Sequence, residues 1–367
     1  MSLKLDAQEF GFTQWAMNKS SVNPAFVAQQ GDLLVNSLYK QQWNRLADNN
    51  GSAMILSGLN AEIGCPKYQL GIGGQLFYSQ QGAGDYSYIK GSLNIGWGFD
   101  GSFSNSFGIK SLQGLNYMFS FGAQLGLGQK SVEWGQFNFS DQYDPYLGLV
   151  KPTSAVYDQG IRDASKSQLD IGFGGLIRLE LPKTAGNLTL GAAMYSINRP
   201  KESFLNTENE IPQRLNLHAF WHKRVFRKEA QKRPVYMNIG IMSSSLLPES
   251  FIPPTSSQLN LTGGFSFNNQ SADLALRFGE SGSWSLNAIA AVYQLRVSPN
   301  LILSGGAEFA TGDFSIGQSG FTFDLGLAFS LENKYLCKGR KKDWNFNRFQ
   351  SGFLSDSDPG SLQRFIP

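Results

Sequence analysis

The sequence predicts an all-β fold, a transmembrane antiparallel β-barrel of about 14 strands. Three observations lead to this prediction. Segment after segment alternates apolar and polar residues, and no run approaches the ~20 consecutive apolar residues of a membrane-spanning helix. Several alternating segments reach the ~9–11 residues that a tilted strand needs to cross a bilayer. Since only every second residue of such a strand faces lipid, the mean hydropathy stays at −0.24.

The clearest alternation runs over residues 321–331, where Phe323, Leu325 and Leu327 share one face and Thr322 and Asp324 lie on the other. Residues two apart in a strand lie on the same face of a sheet, which gives this period. The other predicted strands lie near 32–40, 53–63, 68–79, 86–98, 115–128, 168–181, 187–197, 213–225, 234–245, 258–268, 272–279, 284–297 and 300–310.

The chain is expected to have three parts. Residues 1–30 form a periplasmic N-terminal segment, 31–331 a barrel in the cell outer membrane, and 332–367 a periplasmic C-terminal tail. An even strand count puts both termini on one side, and short periplasmic turns would alternate with longer outer loops, the longest being 129–167. The link 99–114 is long for a periplasmic turn, which leaves a miscounted strand open.

Composition narrows the class of protein. A net charge of +3 from 31 basic and 28 acidic residues argues against a nucleic-acid partner. The stretch from Met1 to Asp6 has no apolar run that would direct export, so a barrel would need a signal that was removed or lies outside this numbering. A soluble all-β binding protein therefore stays open as an alternative.

The N-terminal segment contains several separated motifs in a characteristic order. They are Phe12-Thr13-Gln14-Trp15, Asn18 and Val22-Asn23-Pro24-Ala25-Phe26, with Gln42-Trp43 after the first predicted strand. Further along come Trp134, Phe137, Phe139, Asp141-Gln142, Asp144-Pro145 and Gly148. This series resembles the PorP/SprF family of type IX secretion system membrane proteins of Bacteroidota. The chain departs from the family pattern at Gln29-Gln30, where a glycine is usual, and in its tail beyond Leu331.

The resemblance implies an accessory outer-membrane barrel of the type IX secretion and gliding machinery. Its partners would be other secretion-system proteins, a secreted adhesin or both, together with outer-membrane lipid. The predicted function is therefore non-enzymatic: binding protein partners for the export or surface attachment of substrates, without a cofactor. A passive outer-membrane channel or transporter is the alternative, because a barrel of about 14 strands can enclose a lumen.

Two regions that do not alternate are the candidate sites. One is the N-terminal element with Phe12, Gln14, Trp15, Asn23 and Pro24, predicted either to bind partners or to plug the periplasmic mouth. The other is the tail, where basic residues precede an aromatic set that is unlike a fully solvated segment. That aromatic set consists of Trp344, Phe346 and Phe349.

The sequence offers no catalytic or metal-binding constellation. His218 and His222 are four residues apart in an alternating stretch, and four residues along a strand span roughly 13 Å, too far for one metal. Both histidines fall on the polar face and are expected in the lumen. Glu308 and Glu180 are expected to form a paired lumen network with arginines such as Arg178 and Arg277, and the glycine-rich stretches lie inside strands, where glycine relieves crowding.

Cys65 and Cys337 are the two cysteines of the chain. One follows the second predicted strand and the other the last, so both would face the oxidising periplasm at one end of the barrel. A disulfide between them is one hypothesis, and two free thiols are the interpretation that the sequence alone favours.

Overall fold

In the computed structural model, the described part of the chain contains sixteen strands. These are β1 Leu33–Gln42, β2 Met54–Cys65, β3 Leu70–Gln81, β4 Tyr86–Ser102, β5 Asn116–Ser131, β6 Tyr143–Asp144, β7 Gly148–Leu149, β8 Ser165–Leu181, β9 Gly186–Tyr195, β10 Gln213–Phe226, β11 Val235–Leu247, β12 Ser256–Phe267, β13 Gln270–Glu280, β14 Trp284–Ser298, β15 Leu301–Ala310 and β16 Thr322–Leu331. The structure describes residues 11–29, 33–42, 54–65, 68–82, 86–102, 116–133, 140–144, 146, 148–149, 151, 165–181, 186–201, 210–226, 235–247, 256–267, 269–280, 284–311 and 321–331.

Fourteen of these strands close into one antiparallel barrel, which confirms the predicted fold class and strand count. Each barrel strand pairs with its neighbours in the chain, β5 pairs with β8, and β1 closes the barrel on β16 with Leu34 opposite Ser330 and Lys40 opposite Asp324. The short strands β6 and β7 pair only with each other, and two residues are too few to show alternation in the sequence.

The barrel has apolar residues outside and polar residues inside, the reverse of a soluble protein. On the outer surface Leu127 is 68% exposed and Leu93 is 62% exposed, whereas the inward Lys40 and Asn94 are fully buried. Closure leaves no unpaired strand edge, as a sheet in lipid requires. This distribution of residues supports the membrane barrel over the soluble all-β alternative.

The described part of the N-terminal segment forms three short helices before β1. A 3-10 helix spans Trp15–Met17, the α-helix α1 spans Lys19–Val22, and a second 3-10 helix spans Pro24–Gln29. The residue before a proline is disfavoured in helical geometry, and Asn23 is extended at φ −153° and ψ 118°, which ends α1. A further 3-10 helix, Ser140–Gln142, precedes β6.

Candidate functional site within the barrel lumen

The N-terminal segment lies inside the barrel. From Thr13 to Gln29 most residues are buried, and Ala25 and Val27 are completely buried, against the inner wall. The segment was expected in the periplasm, but its described part, Gly11–Gln29, occupies the lumen instead. It fits there because the inner wall leaves space for it, as a row of glycines shows.

Four inward-facing glycines lie side by side on neighbouring strands. Gly71 of β3 is opposite Gly96 of β4, which is opposite Gly122 of β5, which in turn is opposite Gly174 of β8. A Cβ atom at any of these positions would overlap the segment between Asn23 and Ala28. The sequence indicates only that glycines in the strands relieve crowding; the inward-facing positions that these four share are the signal of a surface that binds the segment.

Asn23 joins the segment to the wall by hydrogen bonds. Its Nδ2 amide donates to the carbonyl oxygens of Gly175 at 3.0 Å and Ala192 at 3.1 Å, and lies 3.1 Å from Nε2 of His218. Its Oδ1 atom accepts from the backbone N–H of Ala25 at 3.0 Å. The next residue, Pro24, starts the second 3-10 helix and is fully buried. Leaving such buried polar groups unpaired costs about 1–3 kcal/mol.

Aromatic contacts hold both halves of the segment. The ring of Trp15 lies 4.5 Å from that of Phe220, and Phe26 stacks on His218 at 5.2 Å between ring centroids. Phe12 meets Phe77 edge-on at 6.2 Å. Trp15 and Phe26 are almost fully buried, so both contribute to the apolar contact between segment and wall.

An ion network lies on the wall beside the start of the segment. Glu308 accepts from Lys40 at 3.2 Å and from Arg277 at 2.8 Å, so one carboxylate of the expected lumen network pairs with one of its arginines. The Thr13 hydroxyl donates to Glu308 at 2.6 Å, and the Thr13 N–H donates to Asp324 at 2.7 Å. Gln14 donates to the carbonyl of Asp324 at 3.2 Å. Sequence reasoning missed Thr13, Lys40 and Asp324, because nothing local connects residues 311 positions apart.

The segment runs up the lumen as well as around it. Gln29, next to β1 in the chain, hydrogen-bonds Ser120, while the carbonyl of Gly11 accepts from Lys40 at 3.1 Å. Lys40 lies seven residues beyond Leu33 along β1, roughly 23 Å of strand. Gly11 is exposed and lies near the mouth where β1 ends, opposite the end where β1 begins.

The two histidines face the lumen, as expected, but do not form a joint site. His218 contacts Asn23, whereas His222 hydrogen-bonds Asn238 at 2.6 Å and stacks on Tyr236. Within the described ranges, no group of three or more His, Cys, Asp or Glu residues is placed to hold a metal ion. In that same part of the chain no helix is both long and apolar enough to cross a membrane.

The remaining predicted sites lie partly beyond what the structure describes. The tail residues Trp344, Phe346 and Phe349 are outside the described residues, and so is Cys337. Cys65 ends β2 at the end of the barrel where β16 also ends. The disulfide and the role of the tail stay predictions.

Fold and site together define a membrane-spanning β-barrel whose N-terminal segment is folded into its own lumen. The family model for the type IX secretion system membrane protein PorP/SprF matches residues 5–329, and the chain belongs to this family. The resemblance seen in the sequence is thereby confirmed. No curated protein matches the chain.

Among solved structures, the chain is similar to several barrels. The Pseudomonas putida toluene transporter TodX matches at 11% identity and a TM-score of 0.41, covering 89% of this chain and 95% of that one. A TodX deltaS2S3 mutant described as a monoaromatic hydrocarbon channel matches at 10% identity and a TM-score of 0.40, covering 88% and 94%. A mutant Rh. blastica porin matches at 8% identity and a TM-score of 0.33, covering 82% and 99%.

Proposed function

We propose that this protein is a non-enzymatic component of the type IX secretion and gliding machinery in the outer membrane, and that it works by binding protein partners. The partners are other secretion-system proteins, a secreted adhesin or both. The start of β1 and the C-terminal tail face the periplasm, and the longer connections face outside. Family membership supports the secretion role, and the apolar outer surface supports contact with outer-membrane lipid.

The observation that carries this proposal is the segment docked in the lumen. A passive channel needs a continuous water path, whereas Thr13–Gln29 occupies space beside the inner wall and buries its own apolar residues there. A barrel whose lumen holds its own chain acts through its rims and its segment. Purified protein in planar bilayers should therefore show no steady open conductance, and a steady pore would favour the channel alternative.

The rim at which β10 ends supplies one docking surface. Lys223 lies over the ring of Trp221 at 5.5 Å, and Arg224 donates to the Tyr236 hydroxyl at 3.2 Å while lying over its ring at 5.5 Å. Cation–aromatic pairs of this kind orient positive charge on a partly apolar surface. With the basic and aromatic residues of the tail, this rim suits a periplasmic protein partner.

Affinity purification from native membranes in mild detergent, with partners identified by mass spectrometry, tests the proposal. The full chain should retain at least one secretion-system protein or exported adhesin that an unrelated outer-membrane barrel does not retain. A chain lacking residues 338–367 should lose the partner that docks on the tail. If every co-purifying protein remained after this deletion, docking on the tail would be wrong.

A further inference from the structure

The first part of the segment, Gly11–Met17, is held by a wall that recognises a peptide in detail. Asp324 accepts the backbone N–H of Thr13, Glu308 accepts its hydroxyl, and the side chain of Asn36 donates to the carbonyl of Met17 at 2.7 Å. The wall therefore contacts backbone and side-chain atoms of one short peptide, as peptide-binding grooves do.

The charges of this wall balance without the segment. Lys40 and Arg277 face Glu308 and Asp324 within the barrel strands, and the stretch Gly11–Asn18 carries no charged residue. Removing the stretch would exchange its hydrogen bonds to Glu308, Asp324 and Lys40, which are charge-assisted, for bonds to water. The ion pairs of Glu308 with Lys40 and with Arg277 lie within the barrel strands and would stay in place.

The second part, Ser20–Gln29, is held differently. Ala25, Val27 and Ala28 lie against the glycine row, and Ala25 and Phe26 form an apolar cluster with Leu176. Leaving the wall would expose these apolar side chains to water. The first part can therefore leave its site while the second part stays docked, with the bond between Asn18 and Lys19 at the junction.

The site also holds an aromatic residue. Trp15 is 6% exposed and lies against Phe220. It follows Thr13, whose hydroxyl the wall binds, by two residues and Gln14, whose amide the wall binds, by one. Gly11 lies toward the mouth where β1 ends, on the side of the first part that faces away from the docked second part.

We infer that the site occupied by Gly11–Met17 is a peptide-binding site that the chain fills itself, and that a partner fills it in exchange. The partner is a short, uncharged peptide segment with a hydroxyl residue, an amide residue and an aromatic residue in succession. This inference rests on the proposed function, because it names the contact by which a protein partner would be recognised.

A fluorescent synthetic peptide of residues 11–19, titrated against the full chain in detergent, tests the inference. In the variant T13A/W15A the chain's own stretch is weakened, so the peptide should bind saturably and at least about tenfold more tightly than to the wild-type chain. The matched control is the same peptide with alanine in place of its threonine and tryptophan, and it should bind at least about tenfold more weakly.

Folding is checked for each variant by the heat-dependent shift of barrel migration on a gel. Thr13→Val is the milder background for the same titration, since it keeps Trp15 and removes only the hydroxyl. Equal binding of both peptides, or a folded chain that binds neither peptide in both backgrounds, would overturn the inference. If the inference failed but secretion-system partners still co-purified with the wild-type chain, the proposed function would stand. If no partner co-purified with the wild-type chain, the proposed function itself would be wrong.

Discussion

Gly96→Ala tests whether the lumen is built around the N-terminal segment. Gly96 faces inward on β4, and a Cβ atom there would lie 2.8 Å from Cγ2 of Val27, 2.9 Å from the nitrogen of Ala28 and 3.0 Å from its Cβ. Favourable contacts between carbon atoms lie at about 3.5–4.0 Å. The added methyl group therefore forces the segment away from the wall by several tenths of an ångström.

The size of the effect follows from this overlap. Overpacking a well-fitted interior by one methyl group costs about 1–3 kcal/mol. Because about 1.4 kcal/mol corresponds to a factor of ten, the ratio of undocked to docked segment should rise about 5- to 150-fold. The change is confined to the docked state, since alanine is well tolerated in a strand when the segment is absent.

Undocking of the segment is measured by conductance in planar bilayers together with heat-dependent gel migration. The Gly96→Ala chain should open more often and lose the folded migration at a lower temperature than the wild-type chain. Gly91→Ala, on the same strand but with nothing within 4 Å of its added Cβ, is the matched control and should behave like wild type. If the two alanine variants were indistinguishable in both assays, the glycine row would not be a docking surface.

Three further predictions concern the segment, the lipid-facing surface and the two cysteines. Asn23→Ala removes the hydrogen bonds to two strand carbonyls and should lower the free energy of unfolding by about 1–3 kcal/mol, measured by denaturant titration in detergent; an unchanged value would mean that this amide does not anchor the segment. Leu125→Arg, on the lipid-facing surface, should cost about 2–4 kcal/mol near the bilayer midplane, whereas Tyr146→Arg at a 96% exposed position outside the barrel strands should cost little in the same refolding assay into vesicles. Equal costs would contradict the lipid-facing assignment. Non-reducing mass spectrometry should find Cys65 linked to Cys337, and alkylation of both thiols without reduction would rule the disulfide out.

The strands could be predicted from the sequence because the membrane imposes a strict period. Leu325 and Leu327 must face lipid, so Asp324 must face inward, and the same parity places His218 in the lumen. The strand ends were less accurate: β5 was predicted to end at residue 128 but continues to Ser131, because beyond the lipid a strand no longer needs apolar residues on one face.

The position of the N-terminal segment could not be predicted in the same way. The sequence pattern of its short helices and buried residues is the same for a segment inside the barrel and for a segment below it. What decides between these positions is the register that puts Gly71, Gly96, Gly122 and Gly174 side by side, and register is a property of paired strands. The contacts of Thr13 join residues from opposite ends of the chain, which no local pattern connects.

The wall recognises two different properties of the segment along its length. Between Ser20 and Val22 it contacts mainly backbone atoms: Tyr195 donates to the carbonyl of Ser21 at 3.0 Å, and Asn216 donates to that of Val22 at 3.1 Å. One side chain of this stretch is also bound, because Gln75 donates to the hydroxyl of Ser20 at 2.6 Å. On either side, at Thr13 to Trp15 and at Asn23 to Ala28, the wall contacts particular side chains. The flanking positions therefore determine which peptide the lumen accepts.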